Sequence, residues 1–211
     1  MLAAFNPGLL AIPLIIIVPG LIFWAARNQA RKTVAGLRDF AARTGLRLTE
    51  KTVLGITVIE SIEGEQQGRK VRFWTYATGS GKSRTTWVTV GVTVPGAVAL
   101  QFDLTRQNFA SKLMELFGAR EIQVGDPAFD QAWFVRTNQP EYLAAALVPA
   151  VRAKLMAEIG DRRSTGSFKL ENGVVRYTEM GGLSAPTVER FATKLPLLQD
   201  LADVAEVSAR V

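Results

Sequence analysis

A stretch of 19 residues without a charged side chain, residues 8–26, constrains this chain more than any other feature of its sequence. A helix of this length measures about 28 Å, close to the thickness of the hydrocarbon layer of a bilayer. Phe23 and Trp24 stand near its carboxyl-terminal end, where aromatic side chains favour the membrane interface. A cleaved signal peptide is the alternative, but no basic residue precedes the stretch. We therefore predict a retained transmembrane anchor over residues 1–26.

The basic residues that follow predict how the chain is oriented in the membrane. Residues 27–47 contain six basic side chains and one acidic side chain. Basic residues beside a membrane span stay on the cytoplasmic side. With Trp24 at the interface, Arg27, Arg31 and Lys32 therefore predict a single-pass inner-membrane protein, with its amino terminus outside and its carboxyl-terminal domain in the cytoplasm. The same basic side chains could bind anionic lipid headgroups.

Beyond the anchor, the sequence predicts an α+β fold with an antiparallel sheet and packed helices. Apolar residues at steps of three and four predict a basic juxtamembrane helix over residues 27–45. Residues 46–103 then change to a period of two, which is clearest at residues 88–94 and predicts an antiparallel meander. The soluble α+β domain is predicted to extend over residues 46–211.

The second half of this domain predicts helices as well as strands. A helix is predicted over residues 106–117, and another begins at Pro140 and breaks at Pro149. The dipeptide Asn-Gly at residues 172–173 predicts a hairpin with a type I′ turn. The last helix is predicted to begin near Ser184 and to be bent or divided at Pro196. A division into two lobes would place them at residues 46–118 and 119–211.

The absence of two residue types excludes several kinds of chemistry. The chain contains no histidine and no cysteine. Thiol nucleophiles, thiolate metal sites and Ser–His arrangements are therefore excluded. No catalytic residue, cofactor or metal ligand is predicted, and we expect a protein that is not an enzyme.

The segment "ATGSGKS" at residues 77–83 resembles a phosphate-binding loop. Such a loop follows a strand and opens a helix, whose free N–H groups hold the phosphate. Here the next residues alternate as a strand and are poor helix formers. We therefore interpret residues 79–81 as a turn between two strands. Lys82 and Arg84 would keep the tip of this turn soluble, and a phosphate contact through them is the alternative.

Two other groups of residues have a functional and a structural interpretation. Asp126 and Asp130 could divide the acid and base roles of a glycoside hydrolase, but an aspartate before proline is also typical of a turn. Trp74, Tyr76 and Trp87 could stack on single-stranded bases, but aromatic residues on neighbouring strands more often pair across a sheet. We favour the structural interpretation of both groups and expect no nucleic-acid partner.

Two short segments resemble a family of bacterial membrane-anchored domains of unknown function. One is the GxxxGRxV-type segment at residues 64–71, and the other is the GDxxFDxxF-type segment at residues 125–134. Position 133 holds Trp where the second pattern has Phe. The resemblance implies an amino-terminal span followed by an α+β domain, and it implies no activity.

These observations predict an accessory or assembly subunit of an inner-membrane complex. Its cytoplasmic domain would bind another membrane protein, and the membrane lipid would be a further partner. One alternative is an enzyme or a nucleotide- or phosphate-binding protein that uses residues 79–83 or the pair of Asp126 and Asp130. Another alternative is a peripheral module that binds anionic lipid.

Overall fold

The structure is a computed structural model that describes residues 8–53, 55–107, 121–161 and 164–209. For residues 8–17 it describes the backbone alone. Most of the helix predicted over residues 106–117 lies outside the described residues.

The described part of the chain contains eight strands, six α-helices and one short 3₁₀ turn at Gly81–Ser83. The strands are β1 (Arg47–Val53), β2 (Ile56–Gln66), β3 (Arg69–Thr78), β4 (Thr85–Thr93), β5 (Phe102–Arg106), β6 (Trp133–Thr137), β7 (Ser167–Glu171) and β8 (Val174–Met180). The helices are α1 (Gly8–Thr44), α2 (Pro127–Ala132), α3 (Pro140–Ala146), α4 (Pro149–Gly160), α5 (Ala185–Ala192) and α6 (Leu195–Ser208).

All eight strands belong to one antiparallel sheet, in the order β1-β2-β3-β4-β8-β7-β5-β6. The predicted α+β class with an antiparallel sheet is therefore confirmed. Strands β1 to β4 form the predicted meander as far as residue 93. Its predicted last part was wrong, because β5 pairs with β6 and β7 instead of β4. The strands that follow in sequence join it through β8, which pairs with β4. Both halves of the predicted domain thus contribute strands to the same sheet.

The two faces of the sheet differ in chemistry. One face is apolar and lies against the helices, and its central row crosses seven strands through Ile62, Phe73, Val90, Tyr177, Phe168, Leu104 and Val135. All seven of these side chains are fully buried. The other face carries charged pairs such as Arg72–Glu63 at 2.9 Å and Arg136–Asp103 at 2.7 Å. The alternation of side chains along each strand produces this separation.

Helix α1 both begins the described chain and contributes to the core. Its carboxyl-terminal half buries Leu37 and Phe40, and the ring of Phe40 meets that of Phe73 edge-on at 5.6 Å. The helix ends at Gly45, whose φ of +68° is the left-handed conformation that glycine adopts at helix ends. The N–H of Leu46 then donates to the carbonyl of Ala41 at 3.0 Å, which closes the last turn. The predicted basic helix lies within α1.

Local turn and cap signals account for most of the remaining elements. Asn172 and Gly173 have φ values of +53° and +71°, so the predicted type I′ hairpin joins β7 to β8. The predicted break at Pro149 separates α3 from α4. Ser184 caps α5 by accepting from the N–H of Thr187. The last helical segment is divided into α5 and α6, as predicted.

The predicted transmembrane anchor is not supported by the structure. Among the residues that the structure describes, no helix is both long enough and apolar enough to cross a bilayer. Within the predicted span, the structure describes side chains only from Val18 onward.

Candidate functional site

Helix α1 leaves the domain at one end of the sheet. The carboxyl ends of β1, β3 and β8 and the amino ends of β2 and β4 lie together at this end. A groove there is lined by Ala26 of α1 together with Thr75, Thr86 and Gly182. The residues before Ala26 therefore project beyond the sheet, and we call this region the α1 end.

Exposed apolar side chains concentrate at the α1 end. The described residues include twelve large hydrophobic side chains that are exposed, and nine of them lie here. Five are on the projecting part of α1, where Ile22 is 64% exposed and Trp24 is 66% exposed. The nine are Val18, Leu21, Ile22, Phe23, Trp24, Val53, Val58, Tyr76 and Met180. An apolar surface of this kind on a protein marks a contact with another protein or with a membrane.

The same end carries basic side chains without acidic partners. Arg27, Arg31, Lys32, Lys82 and Arg84 form no ion pair with any residue that the structure describes. Most basic side chains elsewhere in the described chain are paired. The α1 end is therefore positively charged as well as apolar.

Two of these basic residues border a small pocket. Arg27 and Arg31 are four residues apart on α1, so they lie on one face of the helix and repel each other. Together with Arg38 and the turn at Gly55 they line a pocket of about 250 Å³. Arg38 is already bound to Glu50 by two hydrogen bonds of 2.7 and 2.8 Å. An anion between Arg27 and Arg31 would relieve the repulsion between them.

The glycine-rich segment forms a turn, as interpreted from the sequence. Gly79 has a φ of +74°, and a Cβ there would lie 2.5 Å from the carbonyl oxygen of Ser83. The N–H groups of Ser83 and Arg84 donate to Ser80 and Gly81 within the turn, at 3.1 and 3.3 Å. A single 3₁₀ turn at Gly81–Ser83 leads into strand β4, so no α-helix opens here. These N–H groups are thus occupied, and a phosphate contact through Lys82 and Arg84 stays a prediction.

The two aspartates bind the backbone near them. Asp126 caps α2 by accepting from the N–H of Phe129 at 3.2 Å, and its second oxygen lies 3.4 Å from Arg152. Asp130 accepts from the N–H of Val124 at 3.0 Å. Both carboxylates therefore stabilise the segment around α2, as the structural interpretation expects. Within the described chain, no group of acidic side chains is arranged to hold a metal ion.

A buried polar cluster, which sequence reasoning missed, connects β8 to α4, α5 and α6. Arg190 donates two hydrogen bonds to Glu179, and the hydroxyl of Tyr177 donates to the same carboxylate. Burial, and secondarily the bond to Glu179, raises the pKa of Tyr177 well above its ordinary value. Nearby, Glu158 accepts from Lys194 and from Ser164. The alternation of residues 175, 177 and 179 was the available signal, because it places Glu179 on the apolar face.

The first segment of the family resemblance has a structural role. Arg69 follows the turn between β2 and β3, and it donates to Asp203 at 2.6 Å and to Gln199 at 2.8 Å on α6. Glu206 accepts from it at 3.0 Å. Burial alone would lower the pKa of Arg69, but the two carboxylates outweigh it, so the pKa is raised. This residue therefore fastens α6 to the hairpin between β2 and β3.

Comparison with known proteins gives one similarity, at the level of the fold. No protein-family model and no curated protein sequence matches this chain. The crystal structure of the mycobacterial trehalose monomycolate transport factor A, TtfA, matches with a TM-score of 0.51. The match covers 86% of this chain and 96% of TtfA, at 11% sequence identity. The two proteins share a fold.

Proposed function

We propose that this protein is a non-enzymatic accessory protein of an inner-membrane complex. The amino-terminal part of α1 anchors it in the bilayer, and its α+β domain lies on the cytoplasmic surface, where it binds another membrane protein. The observation that supports this most is the coincidence of exposed apolar side chains and unpaired basic side chains at the α1 end.

Membrane binding follows from the physical chemistry of the α1 end. Ile22, Phe23 and Trp24 expose half or more of their surface to water, and transfer of such side chains into a bilayer is favourable. Arg27, Arg31 and Lys32 come immediately after them. Each basic residue close to an anionic bilayer contributes about 1 kcal/mol to binding. An apolar insertion combined with a basic patch is the pair of signals that gives stable attachment.

The accessory role rests on the remaining candidate residues and on the shared fold. The N–H groups of Ser83 and Arg84 donate within the glycine-rich turn, and strand β4 follows it. Asp126 and Asp130 bind backbone groups, so neither candidate site favours an enzyme. TtfA is by name a transport factor. A protein of the same fold at a membrane surface suits a similar assisting role, and we extend it to this chain as part of the proposal.

The full chain in its native membrane tests the proposal. We expect it to remain in the membrane after alkaline carbonate washing, and we expect sealed spheroplasts to protect the α+β domain from added protease. After gentle solubilisation it should migrate as a species larger than the monomer. Release by carbonate or digestion from outside would contradict the anchor and its orientation. Migration as a monomer would contradict the accessory role.

A further inference from the structure

The groove at the α1 end has the shape and chemistry of a ligand site. It lies between α1 and strands β2, β3 and β4 and has a volume of about 480 Å³. This volume is within the range of about 300–1,000 Å³ that is typical of small-molecule sites. It reaches the buried side chains Val34 and Leu37 at the edge of the core. We call it the α1 groove.

The lining of the α1 groove suits a hydrocarbon chain. None of its thirteen lining residues carries a charge. They are Ala26, Gln29, Ala30, Thr33, Val34, Leu37, Thr57, Val58, Ile59, Thr75, Thr86, Gly182 and Leu183. A charged or strongly polar ligand would leave its charge without a partner here, which is costly. An acyl chain has no charge and no hydrogen-bonding group of its own to leave without a partner.

The rim of the groove indicates which headgroup the bound hydrocarbon chain carries. The pocket bordered by Arg27 and Arg31 adjoins the groove, because both are lined by Ala30, Val34 and Thr57. The two guanidinium groups form no ion pair with a described residue. A phosphate between them would neutralise their repulsion and accept charge-assisted hydrogen bonds.

We infer that the α1 groove binds one acyl chain of an anionic phospholipid whose phosphate lies between Arg27 and Arg31. The inference rests on the proposed function, since a membrane at the α1 end brings the lipid to the groove. The bound lipid would leave part of its chain beside the sheet instead of in the bilayer. The groove therefore holds a lipid, while the projecting part of α1 anchors the protein.

Photo-crosslinking of the full chain tests this inference. The protein is reconstituted in phosphatidylcholine vesicles that contain phosphatidylglycerol with a diazirine at the end of one acyl chain. We expect cross-links on strand residues of the groove, such as Thr57, Ile59 and Thr75, as well as on residues 18–26 of α1. Mapping of the cross-linked peptides by mass spectrometry separates these two sets.

Two variants and one control separate the groove from the anchor. Ala30→Leu fills the groove, and Gly182→Val does so from the sheet side, where a Cβ meets nothing within 4 Å. Ala35→Leu adds the same volume at an exposed position of α1 outside the groove. In both groove variants the strand cross-links should disappear, while vesicle binding and cross-links to residues 18–26 persist. The control should behave like the unmodified chain, and thermal melting checks that all variants are folded.

The possible outcomes test the lipid site and the proposed function separately. Cross-links on residues 18–26 without any on the strands would overturn the lipid site and leave the proposed function intact. Strand cross-links that survive both groove variants would overturn the lipid site as well. A chain that binds no vesicles would overturn the proposed function, and the lipid site with it.

Discussion

Arg190 and Glu179 form two parallel hydrogen bonds, of 2.8 and 2.6 Å, at a position where Glu179 is only 4% exposed. This ion pair joins α5 to the last residues of β8. A buried carboxylate keeps its charge at low cost only while such a partner is present, and burial without one is strongly unfavourable.

Replacing Arg190 by Ala should therefore destabilise the fold by about 3–5 kcal/mol, because it leaves the Glu179 carboxylate buried without its partner. Urea unfolding followed by circular dichroism measures the change. Arg84→Ala is the matched control, since Arg84 is exposed and forms no ion pair in the described chain. That control should change the free energy of unfolding by no more than about 0.5 kcal/mol. An equal effect of the two variants would contradict the structural role of the pair.

Gly91 makes room for the indole of Trp74 on the charged face of the sheet. A Cβ at Gly91 would lie 2.9 Å from Cη2 of Trp74 and 3.0 Å from Cγ1 of Val174. We expect Gly91→Val to cost about 1–3 kcal/mol of stability because of this crowding. The cost should fall when Trp74 is also replaced by Ala, and a double-mutant cycle in urea measures this coupling. Gly160→Ala, where a Cβ meets nothing within 4 Å, is the control.

Glu63 makes stability depend on pH in the acid range. A hydrogen bond from Ser61, with Lys70 and Arg72 nearby, holds the pKa of Glu63 below its ordinary value despite partial burial. As pH falls, the unfolded chain binds the proton first, so this contribution is complete above about pH 4.3 and is lost below it. Glu63→Gln should flatten the decline of the unfolding free energy between about pH 5 and pH 3. Glu60→Gln, on the same strand, is the matched variant, and an unchanged slope in Glu63→Gln would contradict this account.

Neutralising Arg27 and Arg31 should weaken binding to anionic vesicles. We expect the double variant Arg27→Gln/Arg31→Gln to lose about 2 kcal/mol of binding free energy, or roughly 30-fold in affinity. Its affinity should also depend less on salt. The double variant Arg43→Gln/Arg47→Gln removes the same charge at the opposite end of the sheet. Sedimentation with phosphatidylglycerol vesicles measures the affinity of both double variants. An equal loss of affinity in the two would contradict a specific role for the charges at the α1 end.

The turn at residues 79–81 should not bind nucleotide. The N–H groups of Ser83 and Arg84 already donate within the turn, and the chain continues as strand β4 instead of the helix that such a phosphate site requires. We expect no change in melting temperature on addition of ATP and Mg²⁺, for the unmodified chain or for Lys82→Ala. An increase that Lys82→Ala abolishes would instead support the phosphate-binding alternative.

Local signals made much of the fold predictable. The Asn-Gly turn at residues 172–173, the break at Pro149 and the cap at Ser184 each depend on residues close together in the chain. Helix α2 was missed, because six residues are too few to show a helical period. Asp126 was predicted to be a turn residue, whereas its carboxylate caps this helix.

The pairing of β4 with β8 could not be predicted. The alternation along β8 is the same whichever strand lies beside it, and these strands are far apart in the chain. The basic part of the α1 end could be identified from the sequence at Arg27 and Arg31. Its other members could not, because Met180 reaches this end only through the position of β8. The pair of Arg190 and Glu179 depends on the same long-range arrangement.

Helix α1 runs without interruption from its projecting residues to Leu37 and Phe40 in the core. Its carboxyl-terminal half is held from two sides, because Phe40 packs on Phe73 and Gly36 lies close to Ala185 of α5. No loop separates the two halves, because α1 is one continuous helix from Gly8 to Thr44. A change in the tilt of its outer part would turn the whole sheet, and with it every surface that the domain presents to a neighbour.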